Sequence, residues 1–151
     1  MLQGGNMKGH YIIKLLVVVI GLGLATALAS AGDDEDVVKT LISKRTDAMN
    51  GFFASELNYK EAEALLVEAE AGRLLEEDLQ HLKDYFRTDI EYIESYQISQ
   101  VEFTEAEENL LCANVTIDWE LEGMQGEERY RCDYSVICEK YGDTFRLVQF
   151  F

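Results

Sequence analysis

Residues Leu110 to Lys140 read LLCANVTIDWELEGMQGEERYRCDYSVICEK, and their alternation decides the fold. Leu111, Ala113, Val115, Ile117, Trp119 and Leu121 share one parity, while Cys112, Asn114, Thr116, Asp118 and Glu120 share the other. This is the pattern of a strand with one dry face and one wet face. After Gly123-Met124-Gln125-Gly126 the alternation resumes, with Tyr130, Cys132, Tyr134, Val136 and Cys138 inward and Arg129, Arg131, Asp133, Ser135 and Glu139 outward. Two glycines suit a tight reversal, so the pair reads as a hairpin. Only an antiparallel pairing of odd with even positions puts both apolar sets on one face. Ile117 opposite Cys132 and Val115 opposite Tyr134 are such pairs, and Trp119 is placed inward beside Tyr130.

A half-dry hairpin needs a cover, and the preceding sequence supplies helices. Asp33-Asp34-Glu35-Asp36 offers caps and charges suited to a helix start, and Val38, Leu41, Ile42, Met49, Phe52 and Phe53 recur at helical spacing with Arg45 interrupting the stripe. A first helix is expected from Asp34 to Ser55. A second begins at Asn58, carried by Ala62, Leu65, Leu66 and Ala69, with Gly72 as its C-terminal glycine. A third presents Leu75, Leu79, Leu82 and Phe86. From 88 to 104 both periods fit: Ile90 and Ile93 extend the helical stripe, yet Ile90, Tyr92, Tyr96 and Ile98 alternate. The expected solution is a helix ending between Thr88 and Ile93, then a strand from Ser95 to Phe103 with a bulge at Ser99-Gln100, and a turn over Thr104 to Asn109. Tyr141-Gly142-Asp143 signals a last turn, and a closing strand from Phe145 to Phe151 would place Phe145 near Cys138 and Leu147 near Val136. Helices first and a four-strand antiparallel meander after them make an α+β domain, its curved sheet packed against the helices.

Upstream, Lys8 and Lys14 flank an uncharged run from Leu15 to Ala31 that ends in small residues. Positive flank, apolar centre and small-residue end form an export signal. Residues 1–31 are therefore expected to be a signal peptide or a retained signal anchor (spanning 11–30), with 32–151 as the domain. Either reading leaves the domain extracytoplasmic, secreted or held at the membrane, because basic residues stay inside.

The chain carries a formal charge of −16 over 151 residues, with 29 acids and 13 bases. Only Lys8 and Lys14 precede residue 32, so the rest sets 29 acids against 11 bases. Such a surface repels phosphate backbones and excludes nucleic acid as a partner. A protein with a basic surface or a small neutral ligand fits it.

The long amphipathic helix from Val38 to Phe53, the shorter helices next, the bulged strand at Ser95 to Phe103 and the ending Tyr141-Gly142-Asp143-Thr144-Phe145-Arg146-Leu147 together resemble the NTF2-like (cystatin-like, cone-shaped) superfamily. The resemblance covers residues 34 to 151 as an order of elements, and a strand between the second and third helices is missing from it. It implies an α+β cone and leaves function open, since the superfamily includes isomerases, dehydratases, ligand carriers, transport subunits and exported proteins. Its enzymes carry a carboxylate or histidine pointing into the cone, with a tyrosine as oxyanion donor. Here the inward positions of the two best strands contain neither acid nor histidine, and Asp118, Glu120, Asp133 and Glu139 face outward by parity. His81 lies beside the third helix's apolar face, and Glu94 reaches a cone only if 90–98 is a strand. No catalytic residue is assigned.

A ligand pocket is instead assigned to Tyr130, Tyr134, Trp119 and Gln149, in which the two tyrosine hydroxyls can donate to a ligand. Three cysteines give no pair with bridge geometry: Cys112 points out, while Cys132 and Cys138 point in, about 20 Å apart along one strand. No Cys or His pair has metal-ligand spacing, so no metal or other cofactor is expected. The reading is a non-enzymatic, bacterial-looking exported domain that binds a partner or small ligand, with self-association through the sheet as one form. The alternative is a small isomerase or hydratase with a cone pocket.

Overall fold

The computed structural model describes residues 32–84, 92–123 and 126–151. The export segment, residues 85–91 with Phe86 and Ile90, and the hairpin tip at Met124-Gln125 lie outside them. A compact unit spans Glu35–Phe151. Helix α1 covers 32–53 of the described residues, followed by α2 (Tyr59–Ala69), α3 (Gly72–Asp84), β1 (Tyr92–Glu107), β2 (Leu110–Gly123), β3 (Gly126–Tyr141) and β4 (Thr144–Phe150). The four strands form one antiparallel sheet in the order β1-β2-β3-β4. The architecture is α+β, as the alternation and helical stripes require.

The central hairpin has the register deduced from parity: Val115 faces Tyr134, Ile117 faces Cys132 and Trp119 faces Tyr130. Leu111, Ala113, Val115, Ile117, Val136 and Cys138 are buried on its dry face, beneath Val38, Leu41 and Ile42 of α1 and Leu74 of α3. A second cluster joins the other half of α1 to α2 and α3 through Ala48, Ala62, Leu66 and Leu82. One long helix thus spans both clusters, its first turns on the sheet and its last on the helices.

Several boundaries differ from expectation, each for a local reason. Helix is already running at Gly32, so Asp33 and Asp34 lie within it and do not cap it. It ends at 53, and Ser55 leaves it with a left-handed φ of 63°. Asn58 caps α2 in a capping box with Glu61. Gly72 does not close α2. That helix is capped by Glu70; Glu70 bridges to Leu147 and the Ala71 N–H donates to the Leu147 carbonyl at 2.9 Å. The extended link sends Gly72, φ 61°, into the start of α3. On α3 the buried stripe is Leu74, Asp78 and Leu82, while Leu75 and Leu79 sit half-buried in the second cluster.

Strand β1 is longer than expected: Tyr92 and Ile93 are already strand, and the turn shrinks to Glu108-Asn109. The bulge at Ser99 is present, with two more between Ile93 and Ser95 and between Phe103 and Glu105. Each bulge resets the side-chain parity, which explains why both periods fitted this stretch. The last hairpin is offset from the expected register, with Phe145 against Lys140, Leu147 against Cys138 and Phe150 against Val136. A two-residue loop that sets Tyr141 opposite Thr144, and a bulge between Ile137 and Cys138, fix this offset.

The wet face is a ladder of cross-strand pairs. Asp118 receives Arg131 through two oxygens at 2.6 and 3.0 Å, Arg129 pairs with Glu120 at 2.8 Å, the Thr116 hydroxyl donates to Asp133 at 2.7 Å and Ser135 donates to Asn114 at 3.1 Å. Cys112 lies half-buried on this face; burial, then Glu105, raises its thiol above the usual range. Cys138 is enclosed, and burial pushes it up to about 12. Cys132 points inward as parity places it, but it is only half-buried.

Candidate functional site

Beyond Ile117 the alternation places large, part-buried side chains on the dry face of the sheet. Trp119, Tyr130 and Tyr134 meet there with Ile93, Leu121 and Cys132 around a hollow of about 320 Å³ that is open to solvent. Three of the four residues assigned to a pocket are therefore brought together. Gln149 is not. It pairs with Ile137 on β3 and lines a separate hollow with Arg73, Leu74, Glu77 and the last residues of the chain. The reason is the bulge between Ile137 and Cys138, which turns Gln149 to the opposite face from Leu147 although the two are only two residues apart.

The groove is held by defined contacts. The Trp119 indole N–H donates to the Tyr134 hydroxyl at 3.1 Å, and their rings meet edge-on at 6.3 Å. Tyr96 packs on Trp119 at 5.6 Å, its hydroxyl donating to Asp47 of α1 at 3.1 Å. Asn50 of α1 pins Ile93 twice, donating to its carbonyl at 3.0 Å and accepting from its N–H at 3.1 Å. Tyr130 is 45% exposed, with its hydroxyl on Glu128. It forms the rim and not the core position that parity alone implies. Burial raises the Tyr134 hydroxyl above its ordinary value, against the lowering effect of the Trp119 hydrogen bond, so it is a neutral donor at physiological pH.

Behind the groove lies a charged cluster that the sequence reading did not assemble. Arg45 of α1 reaches Glu70 at 2.8 Å and Asp78 of α3 at 2.7 Å. Glu70 is completely buried and Asp78 nearly so. The Arg45 Nε–H is aligned on Asp78, which leaves both Glu70 oxygens without an aligned hydrogen bond. Burial first, then the charge of Asp78, pushes Glu70 up to about 8 against the pull of Arg45. The Arg45 guanidinium also lies 4.7 Å over the Phe150 ring, and Phe150 stacks on Tyr134 at 4.6 Å. A continuous row therefore runs from the carboxylates to the groove wall. Its signal in the sequence was Arg45 interrupting the apolar stripe of α1; Asp78 lies on a buried stripe with Leu74 and Leu82 only in the folded α3.

Other candidates stand apart. His81 is exposed on α3, its ring 5.8 Å from that of Phe53. Glu94 sits exposed at a bulge. Among the described residues no three His, Cys, Asp or Glu side chains converge as a metal site would need, and no helix is long and apolar enough to cross a membrane.

No family model matches the chain, and no curated protein does. Among solved structures it is similar to the intermembrane space region of the chloroplast protein ARC6, with a TM-score of 0.47 and 11% identity over 77% of this chain and 93% of that one. That similarity is too distant to bear on family or role.

Proposed function

We propose that this protein is an exported, NTF2-like binding module, and that its groove takes an apolar side chain from a segment of a basic partner protein. The observation that carries the reading is the groove of Ile93, Trp119, Leu121, Tyr130, Cys132 and Tyr134, apolar and open along one side. Small-molecule sites enclose most of their ligand, whereas an open hollow of this size fits one anchoring side chain presented by a second surface. Charge complementarity favours a basic flank. Glu94, Glu122 and Glu127 are exposed at this end of the sheet, and Glu122 faces Glu127 directly across the hairpin, a pairing of like charges that a cationic partner would relieve. Export is supported by the Lys8/Lys14 flank and the apolar run after it, and the NTF2-like assignment by helices followed by a bulged four-strand meander.

The isomerase or hydratase alternative needs an acid or a histidine in the groove. None of the six lining residues is one, and the carboxyl with a raised pKa, Glu70, is fully buried.

The chain has a single tryptophan, so its emission reports on the groove. A peptide with a Leu-Phe centre flanked by lysines is expected to shift Trp119 emission, and the glutamate-flanked version to bind at least ~10-fold more weakly at low salt. An equal response to both peptides, or a response that survives Leu121→Ser, would overturn the docking reading. Saturation by a small neutral dye with no response to either peptide would favour the small-ligand reading. Recovery of the full-length chain in the cytosol of a native host would sink export.

A further inference from the structure

We propose that the Arg45–Glu70–Asp78 cluster is a positioning device for the groove, firm while the carboxylate pair holds a proton and loosened when the proton leaves. The inference rests on the groove being the binding site, and adds how that site is regulated.

Two carboxylates and one guanidinium meet where Glu70 is fully enclosed and Arg45 is 20% exposed. With one proton on the pair the buried charges sum to zero. Without it one negative charge is left uncompensated, with Glu70 already short of aligned donors. The groups facing Glu70 are few. From α1 comes Arg45, and from α3 Asp78. Tyr134 of β3 acts on Arg45 and not on Glu70, and its hydroxyl accepts from Trp119. From β4 come the Leu147 backbone and the Phe150 ring, neither of which titrates. The adjacent Lys44–Glu68 pair is exposed and holds itself at 3.0 Å. Among the described residues Arg45 is the one cation paired with Glu70, so relief requires Glu70 or Arg45 to move.

Either movement reaches the groove. Arg45 rests on Phe150, Phe150 on Tyr134, and Tyr134 holds the Trp119 indole. Glu70 is also bridged to Leu147 of β4, so its displacement pulls on the strand that carries Phe150. The proton and the groove's occupant are thereby linked, and each favours the other.

Two readouts on the full chain test this. Without ligand, Trp119 emission followed across the alkaline range is expected to show one transition near pH 8, where Glu70 releases its proton, that disappears in Glu70→Gln, which imitates the protonated form. With N-phenyl-1-naphthylamine, a neutral apolar dye that accepts energy from tryptophan, affinity is expected to fall about five-fold or more across that transition in the wild type and to stay flat in Glu70→Gln. No transition in the wild type, or the same transition in Glu70→Gln, would overturn the inference. Glu70→Asp, which keeps a titrating carboxyl, is expected to restore a pH-dependent step, and a flat profile there would count against it too. If the dye fails to bind at any pH, the groove reading loses support while the ligand-free emission still decides the fate of the cluster.

Discussion

Arg45 and Arg131 make the same kind of contact in opposite surroundings. Arg131 meets Asp118 at 2.6 Å on the wet face, with the side chains 69% and 35% exposed. Arg45 meets Glu70 and Asp78 at 2.8 and 2.7 Å, where those carboxylates are 0% and 9% exposed. Distances alone would rank the two alike. Water separates them: outside it screens the pair and solvates each partner when the other is lost, and inside it is not there to do so. The buried cluster should therefore dominate stability and its pH dependence, while the surface pair serves chiefly to hold register.

The sharpest way to break that contrast is to remove Arg45. Arg45→Met keeps much of the packing on Phe150 but leaves two buried carboxylates facing each other, and should cost about 3–5 kcal/mol at neutral pH. Set against a typical total of about 5–15 kcal/mol, the loss would lower the urea midpoint severely or unfold the domain. A midpoint within error of the wild type would mean that the cluster is not enclosed as described.

A more gradual effect comes from the proton itself. In the unfolded chain Glu70 releases its proton near its ordinary 4.5, and in the folded chain near 8. Between those values the native state binds one more proton than the unfolded state, so stability falls as pH rises through the window, by at most about 1.4 kcal/mol per pH unit, and levels off above it. Urea midpoints at successive pH values should trace this decline. Glu70→Gln should flatten it, apart from the weaker slope set by the remaining excess of acids.

How much of this was legible beforehand follows from the range of each interaction. The β2–β3 register was legible because alternation over Leu111 to Leu121 and Tyr130 to Cys138 requires odd positions to face even ones, and the short turn that sets Gly123 opposite Gly126 then selects Ile117 against Cys132. The β4 register was not, since it depends on the length of the loop after Tyr141 and on a bulge at Ile137, neither of which alternation encodes. Trp119, Tyr130 and Tyr134 share a face by parity and lie together in the structure, while the bulge between Ile137 and Cys138, which parity does not encode, turns Gln149 to the other face. Arg45 stood out as a charge on an apolar stripe. Its partners lie 25 and 33 residues away on separate elements, and choosing them among 29 acids requires knowing how the helices cross.

The smallest expected effect belongs to the surface pair. Asp118→Asn removes one charge from a contact in which the Arg131 hydrogen bond holds the Asp118 carboxyl below its ordinary value. The contact is solvated on both sides, and the flanking Arg129–Glu120 and Thr116–Asp133 pairs still hold the two strands together. The urea midpoint should therefore stay within error of the wild type near neutral pH. On acidification the wild type alone can lose this contact, because a depressed carboxyl contributes only above its folded-state pKa. Measuring Asp118→Asn beside Arg45→Met in the same urea series places the two arginines on one scale. A drop for Asp118→Asn comparable to that for Arg45→Met would show that register on the wet face, and not enclosure, is what gives these ion pairs their weight.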